Sequence, residues 1–248
     1  MKNATTDFGY QKVSPEEKTL RVSQVFTSVA SRYDLMNDLM SFGAHRLWKR
    51  YAVALAGIRA GARVLDVAGG TGDMAALFRS AVGHAGEVVV CDINPDMLGE
   101  GRDNLVNRGM CTGFSFVQAD AQALPFVDNC FDCVSIAFGL RNVTDKMLAL
   151  ESMYGKLKFG SPVIILEFSR VVLPPLRRLY DFYSFNCIPV IGKLVARDEE
   201  SYRYLVESIR VHPDQETLKS MMEKAGFSCV EYYNLSGGIV AVHKGYKI

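Results

Sequence analysis

Gly69, Gly70 and Gly72, flanked by Asp66 and Asp73 in the stretch RVLDVAGGTGD, combine a backbone open to close approach with carboxylates that could meet a cationic ligand. Glycine lacks the Cβ that would collide with a ligand pressed on the main chain, and it accepts the sharp turn between a strand and a helix. The strand is Val64, Leu65 and Val67, and a helix is expected to start near Asp73. Asp92 stands twenty residues after Gly72, behind a second apolar run from Val88 to Cys91. A carboxylate so placed accepts ribose hydroxyls in doubly wound α/β folds. The chemistry is therefore the holding of a nucleoside-bearing cofactor.

Two cofactors fit that geometry. Gly70, Gly72 and Ala75 satisfy the G-x-G-x-x-A pattern of dinucleotide sites, which is a weak signal alone. A dinucleotide sets its pyrophosphate on the helix N-terminus, where partial positive charge favours an anion. Asp66 and Asp73 would oppose it. S-adenosyl-L-methionine has no phosphate but carries a sulfonium and an ammonium, and its ribose still needs Asp92. The charge pattern favours S-adenosylmethionine, with Asp66, Gly69, Gly70, Gly72 and Asp92 as candidate contacts. The bland alternative is a tight strand-to-helix turn with Asp66 solvated.

These residues need a sheet to hold them. The apolar runs Val88 to Cys91, Phe114 to Val117, Val134 to Phe138 and Val163 to Phe168 read as buried strands separated by helix-length segments, which is the rhythm of a parallel α/β sheet. A helix from about Asp214 to Lys224 ends at Gly226. Two strands, Phe227 to Asn234 and Ile239 to Tyr246, follow as an antiparallel hairpin around Ser236, Gly237 and Gly238. The segment Val13 to Leu55 has helical spacing, and an insertion runs from Val171 to Arg210. Both are expected to cover the carboxyl ends of the strands, where ligands bind in open α/β sheets, and to form an acceptor pocket. The insertion carries Leu179, Tyr180, Phe182, Tyr183, Phe185, Ile188, Val190 and Ile191. That stretch reads either as a greasy channel or membrane-facing patch, or as ordinary helix packing or a homodimer contact.

Composition bounds the answer. The chain has 248 residues, 49% of them hydrophobic, enough for one large domain with helical additions. Its formal charge of +1, without a basic block, lacks the footprint of a duplex-binding protein, so no nucleic-acid partner is expected. The polar N-terminus and the lack of an apolar run near the 18 or so residues of a spanning helix point to a cytoplasmic protein. The six cysteines read as free thiols. Cys130 and Cys133 form a C-x-x-C without a second pair, so they read as a strand start, and no metal is expected.

The stretch Tyr33 to Trp48, YDLMNDLMSFGAHRLW, resembles the N-terminal signature of the ubiquinone/menaquinone biosynthesis C-methyltransferase family. Agreement extends through AGGTGD, DINPDML at Asp92, ADAQALPF from Ala119, FGLRNVTD from Phe138, SYRYLVESIR from Ser201 and HPDQ from His212. The resemblance implies a class I methyltransferase fold, Rossmann-like, with a seven-stranded, mostly parallel sheet whose last strand is antiparallel. It implies methyl transfer from S-adenosylmethionine to a ring carbon of prenylated quinols, a methoxy-polyprenyl-benzoquinol and a demethylmenaquinol, and association with partner enzymes at the inner membrane surface. It places cofactor contacts at Thr71, Asp92, Asp120 and Ala121, with Asp120 suited to an adenine amino group and Tyr33 packing on the cofactor. Two positions depart from the family pattern. Ala137 stands where a serine is common, which removes a hydroxyl, and KLKFGSP replaces a proline and paired glycines before a strand.

Carbon methylation needs an electron-rich ring. Ionising a quinol hydroxyl, whose reference pKa is about 10, pushes charge onto the neighbouring carbon. Arg141 and Asn142 follow a strand directly at the pocket mouth and could stabilise that charge as an oxyanion site does. The alternative is that Arg141 pairs with Asp145 or Asp34 and merely closes the site. His45 is the only histidine placed to act as a base, against a packing or capping role. His212, before Pro213, reads as a helix-start residue. Three rivals are a NAD-dependent oxidoreductase, an RNA or protein methyltransferase, and a quinone-binding scaffold without turnover. The near-neutral charge disfavours RNA.

Overall fold

Short β-branched runs build the sheet. In a computed structural model, which describes residues 5–29, 37–38, 40–191 and 199–248, five such runs form parallel neighbours. They are β3 (Arg63–Val67), β4 (Glu87–Asp92), β5 (Phe114–Gln118), β6 (Cys133–Ala137) and β7 (Pro162–Phe168). The C-terminal strands β8 (Ser228–Leu235) and β9 (Val240–Tyr246) complete a seven-stranded sheet of order β5-β4-β3-β6-β7-β9-β8. Strand β9 is antiparallel to both of its neighbours. It is therefore the one strand of this sheet that runs against the rest, as expected.

Helices cover both faces. Alternation along β3 sends Leu65 and Val67 into a core with α5 (Lys146–Lys156) and α8 (Gln215–Lys224). Val64 goes to the opposite face, under α2 (Ala44–Ala56), α3 (Asp73–Val82) and α4 (Pro95–Asn107). Asp66 shares that second face by period two, directly beside Ser135 of β6 in register.

The chain leaves β3 for β4 and β5 on one side and returns to β6 on the other. This is the topological switch point where α/β sheets open a crevice. Two non-glycine residues there, Ala68 (φ 51°) and Phe138 (φ 55°), hold left-handed backbone at the ends of β3 and β6. Such conformations cost about 1–3 kcal/mol and persist where surrounding structure imposes them.

Outside the sheet, a hairpin of β1 (Thr6–Phe8) and β2 (Gln11–Val13) turns at Gly9 and leads into α1 (Pro15–Val29). The sequence reading gave this polar stretch no structure. The insertion forms α6 (Pro174–Phe182), continues through 183–191, and resumes as α7 (Glu199–Val211). His212 is not a helix-start residue. It follows the end of α7 and is buried, while Asp214 caps α8 by accepting from the Thr217 N–H. The cap falls there because a short acceptor at N-cap satisfies an otherwise orphaned helix N–H, which a histidine does poorly.

Candidate active site

A cavity at the switch point gathers most of the glycine-loop candidates. Asp66, Gly69, Gly70, Thr71, Asp92, Asp120 and Ala121 line it, together with Ala137, Phe138 and Asn142. The loop fits tightly against its supports. A Cβ on Gly69 would come within 2.6 Å of Val90 Cγ1, and one on Gly101 of α4 within 2.4 Å of the Gly70 carbonyl. Gly101 was not singled out from sequence; a glycine inside a helix, where it costs about 1 kcal/mol against alanine, was its only signal.

The two acidic positions behave differently. Asp92 accepts from the N–H groups of Gly70 and Asn94, both at 3.0 Å, and burial raises its pKa. Asp66 is buried with Oδ1 accepting from Ser135 Oγ at 2.7 Å, while Oδ2 has no hydrogen-bond partner. Desolvation pushes Asp66 up to about 7, further than the Ser135 bond and the Lys49 charge bring it down. Asp73 accepts from Lys49 at 2.8 Å and Arg108 at 2.7 Å. Burial alone would raise it, but these two cations outweigh that and bring it down to about 2. The charge argument against a pyrophosphate is thus weaker in the folded chain than in the sequence. Asp73 is neutralised by two cations, and Asp66 sits near half ionisation at neutral pH. Asp120 accepts from the Gln122 backbone N–H and its side-chain amide, at 2.8 to 3.1 Å.

A second cavity, of about 270 Å³, adjoins the first and shares Phe26, Phe138 and Asn142 with it. Its walls come from α1, α2, the 138–142 loop and the insertion, and they are mainly aromatic and aliphatic. Trp48 on α2 donates from Nε1 to Ser236 Oγ at 3.0 Å, which ties that wall to the β8–β9 turn. Tyr180, Tyr183 and Ile188 of the insertion line the cavity, whereas Leu179, Phe182, Phe185 and Val190 are exposed. The aromatic stretch therefore serves both as wall and as surface.

Arg141 and Asn142 lie in a single 3-10 turn after β6. Arg141 pairs with neither Asp145 nor any other residue of its own turn. Among the described residues its ion-pair partner is Glu167 on β7: Nη1 donates to Oε1 at 3.0 Å, its backbone N–H donates to Oε2 at 3.2 Å, and both side chains are buried. Nη1 also donates to the Phe138 carbonyl, and the guanidinium lies 5.5 Å from the Phe168 ring centre. Asp145 instead caps α5. Glu167 escaped the sequence reading because it sits inside an apolar strand, 26 positions away; a charged residue in such a run is the signal that could have found it. Asn142 Oδ1 accepts from Tyr204 Oη at 3.1 Å, and its amide nitrogen is buried without a partner. Burial raises Tyr204 to about 12, so its hydroxyl stays a donor. His45 lines the same cavity, with Nε2 2.8 Å from Asp38 Oδ1. Tyr33 and Asp34 lie outside the described residues.

The profile of the ubiE/COQ5 methyltransferase family matches residues 12–247. The chain belongs to that family. A ubiquinone/menaquinone biosynthesis C-methyltransferase of Cronobacter sakazakii is 59% identical over 243 residues, covering 98% of this chain and 97% of its own. An Escherichia coli protein of the same name is 58% identical over the same span and coverage. Among solved structures, a Thermotoga maritima SAM-dependent methyltransferase aligns with TM-score 0.66 at 20% identity, covering 92% of this chain and all of the other. The [4+2]-cyclase SpnF reaches TM-score 0.66 at 15% identity, covering 91% and 95%. At those identities the likeness concerns fold alone, the class I methyltransferase fold. This family member is an S-adenosylmethionine-dependent methyltransferase. The switch-point cavity suits that cofactor: Asp66 carries a buried carboxylate oxygen without a partner, and Gly69 and Gly70 line the cavity, while Gly72 packs against Gly101 and Leu105 of α4 instead.

Proposed function

We propose that this chain methylates a ring carbon of prenylated quinols, with a methoxy-polyprenyl-benzoquinol and a demethylmenaquinol as acceptors. The observation that carries the reading is the aromatic-walled cavity that shares Phe26, Phe138 and Asn142 with the cofactor cavity, Asn142 having a buried amide nitrogen without a partner. Relatives named for ubiquinone and menaquinone biosynthesis at 58% and 59% identity support the acceptor class. When bound, S-adenosylmethionine supplies an electrophilic methyl on a sulfonium; Asp66, Thr71, Asp92, Asp120 and Ala121 would hold it, beside the Gly69–Gly70 turn that lines the same cavity.

The rest falls to the protein. Apolar walls hold the ring and the start of the prenyl tail and exclude water. Asn142 Nδ2 donates to a quinol oxygen, and the Arg141 charge, fixed by Glu167, lowers the cost of phenolate character there. Such preorganised donors act where charge develops, and removing one commonly costs about 10²–10³ in turnover. The test is methyl transfer from labelled S-adenosylmethionine to short-chain forms of both quinols, with the product mapped by mass spectrometry. Label on a ring carbon is the expected result; cofactor binding without transfer to either quinol would sink the reading.

Asp66 makes a pH prediction. Its folded pKa, about 7, lies above the ordinary 3.8, so the native state holds the proton more tightly than the unfolded chain. Its contribution to stability is complete below about pH 4 and is lost as pH rises to about 7. A cationic cofactor end beside Asp66 favours the carboxylate, so cofactor uptake near pH 6 should release most of one proton. Calorimetry in buffers of different ionisation heat reads that number, and Asp66→Asn should remove it.

No helix among the described residues is long and apolar enough to cross a membrane. The acceptor's tail nonetheless requires delivery from lipid. Exposed Leu179, Phe182 and Phe185 stand beside Arg177 and Arg178, and Phe42, 86% exposed, lies at the rim of the acceptor cavity. This mixture of apolar and basic side chains suits the surface of an anionic bilayer. Flotation with anionic vesicles should weaken in Leu179→Ser/Phe182→Ser; unchanged flotation would remove this face from the membrane.

A further inference from the structure

Methylation at carbon needs a group to take the quinol hydroxyl proton. Arg141 cannot, since its guanidinium keeps its protons and is held in the Glu167 pair. We propose that His45, oriented by Asp38, is the general base of the reaction, an inference that rests on the quinol acceptor reading.

His45 is the second residue of α2 and is 4% exposed. Its Nε2 lies 2.8 Å from Asp38 Oδ1, and a carboxylate only accepts, so the ring hydrogen sits on Nε2 and Nδ1 keeps its lone pair. That Nδ1 is buried without a hydrogen-bond partner, on a ring that lines the acceptor cavity. Both ring nitrogens of His212 and Nδ1 of His243 also lack partners, but neither of those rings lines either cavity, whereas His45 does. A substrate hydroxyl would satisfy the His45 Nδ1.

Placement along the helix agrees. Lys49, one turn on and on the same face, lines the cofactor cavity and pairs with Asp73, so His45 stands at the end of the acceptor cavity that adjoins the cofactor. Asp38 is itself held by Arg46, whose Nε donates to Oδ1 at 2.8 Å. Among the described residues, the charged groups facing His45 are Asp38 with Arg46 on one side and Lys49 with Asp73 on the other. Burial and the Lys49 charge hold the imidazole below the usual histidine range, against the pull of Asp38 and Asp73. The ring is neutral when the acceptor arrives.

The proton balance closes. His45 Nδ1 accepts the hydroxyl proton, and the O–H electron pair moves onto the ring. The ring carbon then bonds to the methyl carbon as the C–S bond breaks with its pair going to sulfur. The ring C–H proton passes to water while the imidazolium returns its proton to the oxygen, so one proton leaves per turnover. Asp38 touches no reacting atom and is a positioning residue.

The test compares the full-length protein with His45→Gln and Asp38→Asn on a short-chain demethylmenaquinol and on a ring-halogenated analogue whose hydroxyl is ionised at the assay pH. Calorimetric binding of S-adenosylmethionine checks that each variant is folded. His45→Gln should lower kcat on the parent quinol by about 10²–10³-fold, within the range of general-base effects. On the ionised analogue the deficit should shrink to less than about tenfold, because the base has nothing left to do. With S-adenosylmethionine saturating, so that Asp66 is already ionised, the acid limb of the wild-type kcat/KM profile for the quinol should vanish in His45→Gln. Asp38→Asn should shift that limb and lower kcat by about tenfold, which reads the dyad even if His45→Gln does not fold. Equal deficits on both acceptors, or an unchanged acid limb in either variant, would overturn the assignment. Failure of the wild type to methylate any quinol would instead overturn the acceptor reading and the base assignment with it.

Discussion

Asn142→Ala should lower kcat on quinol acceptors by about 10²–10³-fold while S-adenosylmethionine affinity changes only a few fold. The asymmetry follows from what the amide faces. Oδ1 is already occupied by the Tyr204 hydroxyl, so the group left for the acceptor is the buried, unpartnered Nδ2 of a residue that lines both cavities. A donor aimed at an oxygen that gains charge during reaction stabilises the transition state more than the ground state. Steady-state kinetics together with calorimetric cofactor titration measures both quantities; an equal loss in each would place Asn142 in cofactor binding instead. Tyr204→Phe is the milder member of the series. It removes the bond that fixes which way the amide points, worth about 1 kcal/mol, and should lower kcat about fivefold.

Disturbing the Arg141–Glu167 pair should be the most damaging change to stability, and it separates structure from catalysis. The pair is buried, and Glu167 also accepts from the backbone N–H groups of Arg141 and Phe168. Removing one member of such a pair leaves an uncompensated charge, with a penalty of about 3–5 kcal/mol. For a chain of this size that lowers Tm by roughly 10 °C. Arg141→Ala and Glu167→Ala should both show this shift in thermal melts. Arg141→Met/Glu167→Gln buries no net charge and should recover part of the stability, as a double-mutant cycle would record. Turnover should stay lost in the double variant, because the cation beside the acceptor oxygen is still missing. Recovery of turnover together with Tm would reduce Arg141 to a structural role.

The strands of the large sheet and the last helix were legible to within a residue or two, while the β1–β2 hairpin and the helices of the insertion were not. The strand read as Val88 to Cys91 is Glu87–Asp92, and the helix placed from about Asp214 to Lys224 is Gln215–Lys224 behind an Asp214 cap. Apolar runs, glycine turns and caps act over a few residues, so the order of residues carries them. The cofactor cavity was legible for a related reason. The glycine loop and Asp92 occupy the ends of adjacent parallel strands, and the length of a strand–helix–strand unit fixes how far apart in sequence they fall.

The partners of the charged groups were not legible. Arg141 passes over nearby Asp145 for Glu167, on the neighbouring strand β7, and Asp73 is neutralised by Lys49 from one helix and Arg108 from the far end of another. His45 acquires a free Nδ1 only because Asp38 takes its other nitrogen. The sequence by itself determined the elements, their order, the cofactor loop and the family resemblance. Tertiary structure alone decided which charges are cancelled, which buried polar atoms are left without partners, and which way burial moves each pKa. Hydrogen bonds, Coulomb forces and desolvation depend on distance through space and on exclusion of water, and neither is written in the spacing of residues along the chain.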